Sequence, residues 1–245
     1  MTVSSTTTFS YNRDQIINFA MRKLGILELG THPDPSSVKN FSESLNLILK
    51  NLITKGVKIW TITELTLPLV NNQTSYVIGP TGSKPSTPDL VVDKPMKLTQ
   101  AWLRNTANTP DTDRVLEIVS QSDYNDLGSK FSTGQSNCVC LVVGREQSTL
   151  KVSLTPDSTS ASDYEIHLIT QRQLYDVNSS IQTLDVPAEW LYPLGWLLAQ
   201  DMILDYGVDQ ARAQIITGMA NKFLTEVEDY DTEYTSVYFT PERTG

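Results

Sequence analysis

Few residues of this chain have the type and spacing that chemistry needs. Histidine moves protons most readily near neutral pH, and it occurs only twice: His32 in the stretch from Gly30 to Pro35, and His167 in a strand-like run with apolar neighbours on both sides. Each stands alone in sequence, and a structural role is the expected one for both. Cys138 and Cys140 are one residue apart in a second strand-like run, so their side chains would share one face of a sheet. A lone C-x-C lacks the second ligand pair of a zinc site, and two small buried hydrophobes are expected there. The run Asp229-Tyr230-Asp231-Thr232-Glu233 has the acidic alternation of a calcium loop. Tyr234, however, stands where that loop requires glycine and Thr240 where it requires a bidentate glutamate. The G-x-S-x-G elbow, the glycine-rich phosphate loop with lysine and the H-E-x-x-H zinc motif are absent from the sequence. The 28 acidic residues offer many pairings for two-carboxylate hydrolysis, but that chemistry depends on a separation that sequence does not give. No catalytic, cofactor-binding or metal-ligating residue is assigned.

The bulk numbers fit a globular chain of one or two domains: 245 residues, 39% hydrophobic, 19% charged and 8% aromatic. No apolar run approaches the length that spans a bilayer. The opening MTVSSTTTFSYNRD lacks the basic and hydrophobic regions of a signal peptide, so an intracellular protein without a membrane partner is expected. The net charge of -9 is unevenly spread. Lys and Arg number 7 against 5 acids in residues 1–64, 9 against 12 in 65–184, and 3 against 11 in 185–245. A C-terminal quarter this acidic is poorly suited to gripping phosphates, which takes Lys and Arg.

The elements that must position these residues begin with the stretch from Asp34 to Trp60. Val38, Phe41, Leu45, Ile48 and Leu52 recur at spacings of three and four, with Leu49 and Ile53 widening the stripe, which predicts a core-facing helix from Pro35 to Lys55. Asp34 is placed as its N-cap, Pro35 fits the first turn, and Gly56 can end it in the left-handed conformation. Before it, Asn12 caps a shorter helix, Arg13 to Leu24, that carries Ile16, Ile17, Ala20 and Leu24 and stops at Gly25. After Gly56 the period becomes two. Leu65, Leu67 and Leu69, then Tyr76 and Ile78 beyond Asn71-Asn72, predict a β-hairpin. Strand-like runs follow at 96–104, 114–119, 139–143, 149–154 and 164–170, with a short helix at 121–127. Helical spacing returns at Asp185, read as a cap with Pro187 in the first turn, and continues through Trp190, Leu194 and Leu198 to Gly207. Pro193 is expected to kink that helix or shift its start. A fourth helix runs from Val208 to Val227.

The expected class is therefore α+β. A helical bundle would form from residues 12–60 and 185–228, with an antiparallel β-rich insertion, 61–184, between its halves. A Ser- and Thr-rich arm, 1–11, would precede it. An extended arm, 229–245, would follow, carrying Tyr230, Tyr234, Tyr238 and Phe239 as partner-binding aromatics.

One set of segments carries a family resemblance: Lys23-Leu24-Gly25-Ile26-Leu27, Gly30, Leu45 to Lys50, Lys55 to Trp60, Leu65 to Val70, Gln73 to Pro80, Leu184 to Trp190, and Asp205-Tyr206-Gly207. Together, over roughly residues 12–210, they resemble the head-to-tail adaptors, or tail accessory factors, of short-tailed phages. The resemblance implies a structural protein without enzymatic activity. It would sit at the head–tail junction of the virion, assembled in the host cytoplasm as a homo-oligomeric ring, a dodecamer, under the portal protein. The ring would extend the DNA channel, passing DNA through its lumen without specific binding, and would dock tail nozzle, fibre or needle proteins. In the family the C-terminal extension grips the portal. Two alternatives accompany this reading: an adaptor that also degrades peptidoglycan, and a tail connector not bound directly to the portal.

Overall fold

The computed structural model describes residues 9–54, 56 and 59–230. The expected C-terminal arm beyond Tyr230, and all but the last three residues of the N-terminal arm, lie outside them. The chain is mixed α and β. Among the described residues there are six helices: α1 (Arg13–Leu24), α2 (Pro35–Thr54), α3 (Gln121–Asp126), α4 (Ser158–Asp163), α5 (Ala188–Asp201) and α6 (Gln210–Tyr230). Its strands are β1 (Ile62–Pro68), β2 (Ser75–Gly79), β3 (Leu90–Val91), β4 (Pro95–Asn105), β5 (Thr112–Val115), β6 (Glu117–Ile118), β7 (Cys138–Val143), β8 (Ser148–Ser153) and β9 (Tyr164–Arg172). Two compact units result: residues 61–174, and the flanking segments 1–60 with 175–245.

In the helical unit each element starts and stops for a local reason. The Asn12 side chain accepts from the Gln15 amide while Gln15 Oε1 accepts from the Asn12 amide, both at 2.9 Å, which closes a capping box at the head of α1. Gly25 ends that helix at φ 79°, and Arg212 from α6 lies over it, its Nη1 donating to Leu24 O at 2.9 Å. A side chain at Gly25 would meet both a left-handed backbone and that guanidinium. Asp34 caps α2, accepting from the amides of Ser36 at 3.1 Å and Ser37 at 3.3 Å and from the Ser36 hydroxyl. The Ser36 hydroxyl foremost, then the Ser37 amide, holds its carboxyl below the usual range.

The expected stripe on α2 is present, with Phe41, Leu45, Leu49 and Leu52 buried and Val38, Ile48 and Ile53 half-buried. Each fully buried side chain contributes on the order of 2 kcal/mol. Polar groups on α2 also fix the returning chain. Asn46 Nδ2 donates to Val177 O at 3.3 Å and its Oδ1 accepts from Val177 N at 2.9 Å.

Three expectations for the second helical half need correction. Asp185 does not cap α5; its carboxylate accepts from the Tyr175 amide at 3.2 Å and its carbonyl from Trp60 Nε1 at 3.2 Å, so Pro187 occupies the N-cap without a side-chain bond. The helix ends at Asp201, and turns lead to Gly207 at φ 58°. Helix α6 then starts at Gln210, where Asp209 accepts from the Arg212 amide at 3.1 Å, and runs on through Tyr230. Pro193 lies within α5, in its second turn.

The β unit has sheet orders β1-β9-β4-β5 and β3-β2-β8-β7-β6. Pairing is antiparallel except for the two-residue parallel pairs β2–β3 and β6–β7. The predicted hairpin does not form. Strand β1 pairs with β9, and β2 pairs with β8 in the other sheet. Period two shows that a strand has one buried face but not which strand lies beside it, and here Asn72, at φ 62°, helps turn the chain from one sheet to the other. Leu65, Leu67, Ala101, Leu103, Ile166 and Leu168 from the first sheet share one core with Tyr76, Ile78, Val139, Leu150 and Val152 from the second. Helix α4, unexpected from sequence, is a single capped turn in which Asp157 Oδ1 accepts from the Ser160 amide at 2.7 Å.

Gly195 supplies a direct stability test. An added β-carbon there would stand 2.4 Å from Phe19 Cδ1. Helix propensity alone favours Ala over Gly by roughly 1 kcal/mol, whereas overpacking costs about 1–3 kcal/mol. Gly195→Ala should therefore lower the urea midpoint, and a raised midpoint would show that Phe19 is not held against α5. Asp34 gives a pH test. Its lowered folded pKa means its contribution is present above the usual carboxylate value of 3.8 and is lost as pH falls through the folded value. The stability gap between wild type and Asp34→Ala should shrink on acidification; a gap that widens would exclude the carboxylate cap.

Candidate functional site

His167 and the two cysteines are taken up by the fold. His167 on β9 is buried and stacks on Trp102 of β4 with ring centroids 5.3 Å apart and planes at 11°. Register explains the pair: Thr66, His167 and Trp102 lie directly opposite one another across β1, β9 and β4. Nδ1 lies 2.7 Å from Glu64 Oε1 and Nε2 lies 2.8 Å from Glu165 Oε1. With a carboxylate on each nitrogen, the ring has no free nitrogen to offer a substrate. In the adjacent row, Arg104 grips Asp113 through two bonds of 2.8 and 2.7 Å. That fork raises the guanidinium pKa and lowers that of the carboxyl. His32 is exposed in its loop. Among the described residues, no group of three or more His, Cys, Asp or Glu could hold a metal ion, and no helix is long and apolar enough to cross a membrane.

Cys138 and Cys140 are free and buried on β7. Both faces of that strand are covered around the two cysteines. Val139 enters the sandwich core, and Tyr124 of α3 lies near the two thiols with its hydroxyl donating to Val152 O at 2.9 Å. Burial pushes both thiol pKa values up.

One partly exposed apolar surface lies on the helical unit. Ile216, Ala220, Phe223, Val227 and Tyr230 follow α6 at spacings of four, three, four and three; Ile216, Ala220 and Val227 are buried, and the stripe ends at Tyr230, 75% exposed. The start of α5 lies against the end of α6. Phe19, Tyr192, Trp196 and Phe223 form one aromatic cluster with neighbouring centroids 4.7 to 6.3 Å apart, the shortest being Tyr192–Phe223 with rings at 73°. Lysines already use its ring faces. Lys23 Nζ sits 4.9 Å from the Phe19 centroid and 5.0 Å from that of Trp196, and Lys222 Nζ sits 5.7 Å from that of Phe223. Trp196 Nε1 is buried without a hydrogen-bond partner among the described residues. At the outer end Glu189, Tyr192, Pro193, Phe223, Glu226 and Tyr230 line a cleft of about 240 Å³.

Of the four aromatics expected to bind a partner, Tyr230 is therefore at the rim of this cleft. Tyr234, Tyr238 and Phe239 lie outside the described residues. Sequence reasoning did not single out Tyr192, Phe223 or Phe19 as surface residues. The available signal was the aromatic spacing of seven from Phe223 to Tyr230 and of four from Tyr192 to Trp196.

The two thiols should stay silent toward an aromatic disulfide reagent at about pH 8 in the folded chain and both react in denaturant. One fast equivalent under native conditions would mean that β7 is not covered as described.

No protein-family model matches this chain, and no curated protein matches it.

Proposed function

We propose that the chain is a non-enzymatic head-to-tail adaptor of a short-tailed phage, docking on a portal and passing the channel on to tail proteins as a homo-oligomeric ring. The observation that carries the reading is the partly exposed aromatic surface of the helical unit, which leads along α6 to Tyr230, where residues 231–245 begin. In this reading the terminal helices form a bundle with the β unit inserted as an antiparallel domain. The last 15 residues leave the subunit as an arm of up to about 50 Å at about 3.3 Å per residue.

Charge supports the same reading. The acidic C-terminal quarter, with 3 basic against 11 acidic residues, gives little hold on phosphates, and a channel wall that does not bind DNA lets it slide. The engagement of both His167 nitrogens by Glu64 and Glu165 also suits a scaffold, because that histidine is spent on joining β1 and β9.

Deleting residues 231–245 separates arm from scaffold. The truncated chain keeps every described residue of α6, so it should melt as the full chain does, and it should fail to attach to its portal in sedimentation and electron micrographs. Attachment at full occupancy without those residues would remove the arm from the interface.

A further inference from the structure

We propose that the lane beside β4 which β5 leaves open takes a strand from a second copy of this chain, its N-terminal residues 2–8. The inference rests on reading the chain as a homo-oligomeric ring and names one contact between neighbours. Strand β9 pairs with β4 from Pro95 to Asn105, whereas β5 pairs only with Trp102 to Asn105. At Leu116, whose amide still donates to Ala101 O at 2.9 Å, the chain turns away and joins β7 of the other sheet as β6. Among the described residues, no strand pairs with β4 on that side before Trp102.

A cavity of about 620 Å³ lies there, and its walls point to a peptide. One wall is the four-residue run of β4 from Thr99 to Trp102, and Val115, Leu116 and Ile118 supply the apolar part of the rest. Asp113 also borders it, already held by Arg104. Val115 and Ile118 are 83% and 40% exposed, so a cover gains by taking apolar area out of water. Trp102 Nε1 is buried without a hydrogen-bond partner among the described residues. A donor left so is costly, and a peptide brings a carbonyl at every residue. An apolar small molecule would cover Val115 and Ile118 and leave the strand edge and the indole unpaired. An added strand serves all three, with main-chain bonds along β4 and alternate side chains on the apolar wall.

The N-terminal segment suits this lane. In MTVSSTTT, residues 1–8, five of the eight are β-branched and none has a charged side chain, a composition that favours a strand and sets no charge against the apolar wall. Residues 2–8 are as long as the stretch of β4 that precedes Trp102, Pro95 to Ala101, and span about 23 Å at about 3.3 Å per residue. The donor is a second copy because a strand given by one copy and taken by the next is a head-to-tail contact, the kind that closes into a ring. An arm laid on its own copy would join nothing.

The test uses the full chain, a variant lacking residues 2–8, and a synthetic peptide of residues 1–9. The peptide should shift the Trp102 indole N–H signal of the shortened chain saturably and slow amide exchange at Thr99 to Ala101 by roughly tenfold or more. A peptide carrying Ser4→Pro and Thr6→Pro loses two main-chain donors and should bind roughly tenfold more weakly. The parent peptide should lose as much against Val115→Glu, a change at an exposed position. Diluting the full chain should move the indole signal from the docked to the shortened-chain position, since a second copy supplies the strand. A docked signal at every dilution would put the arm on its own copy and overturn the proposal. No saturable shift, undiminished binding of the proline peptide or to Val115→Glu, or an undocked signal at millimolar full chain would overturn it too. Portal attachment is read separately. Attachment by the full chain with no peptide binding would sink this inference and leave the adaptor reading standing; peptide binding with no portal attachment would do the reverse.

Discussion

Helix α5 is the element on which the helical unit depends, and its packing turns on one close approach. It lies against α1, α2 and α6, and most of its residues from Trp190 to Ala199 are buried. Such a helix can be surrounded only where neighbours come near its backbone. Gly195 provides that place, with Phe19 of α1 occupying the space a β-carbon would fill. Phe19 in turn holds the edges of Tyr192 and Trp196. The aromatic cluster that reaches the surface is therefore an extension of the core contact, and this gives its exposed members a fixed geometry.

The elements of this unit were legible because their determinants are local. Asn12 with Gln15, Gly25, and Asp34 with Pro35 are capping signals that act within a few residues, and the α2 stripe is a period that one helix must satisfy by itself. The misreadings arose where a partner from far along the chain decides. Asp185 had the sequence position of a cap, but the amide of Tyr175 and the indole of Trp60 claim it instead. Leu65 to Ile78 had the alternation of a hairpin, and alternation reports a buried face without naming the neighbour; β9, about 100 residues later, is the partner of β1. Helix α4 was missed because one capped turn of small polar residues has no apolar period to detect.

Chemistry was legible mainly as something to be accounted for. A buried histidine requires partners for its nitrogens, and which partners is a matter of register. Glu64 and Glu165 reach His167 because β1 and β9 are aligned so that Thr66 stands opposite it. The same sheet pairs Arg104 with Asp113. These polar side chains are thus matched inside one unit, and of the two histidines that sequence alone flags, His167 is engaged there while His32 is exposed.

The end of the α5–α6 pair is different. There Glu189 and Glu226 line the cleft as exposed carboxylates, and the ion pair between Lys222 and Glu226 is long, at 3.8 Å, and well exposed. Exposed pairs of this kind contribute about 0–1 kcal/mol, so breaking one to admit a partner costs little. The rings beside them are costly to leave wet, since Tyr192 and Tyr230 are 47% and 75% exposed and aromatic side chains carry large apolar area. A surface of this kind gains when its apolar part is covered, while its exposed carboxylates can stay in water. In the proposed adaptor reading, that gain favours a partner that covers the end of the α5–α6 pair, ahead of the chain's last segment.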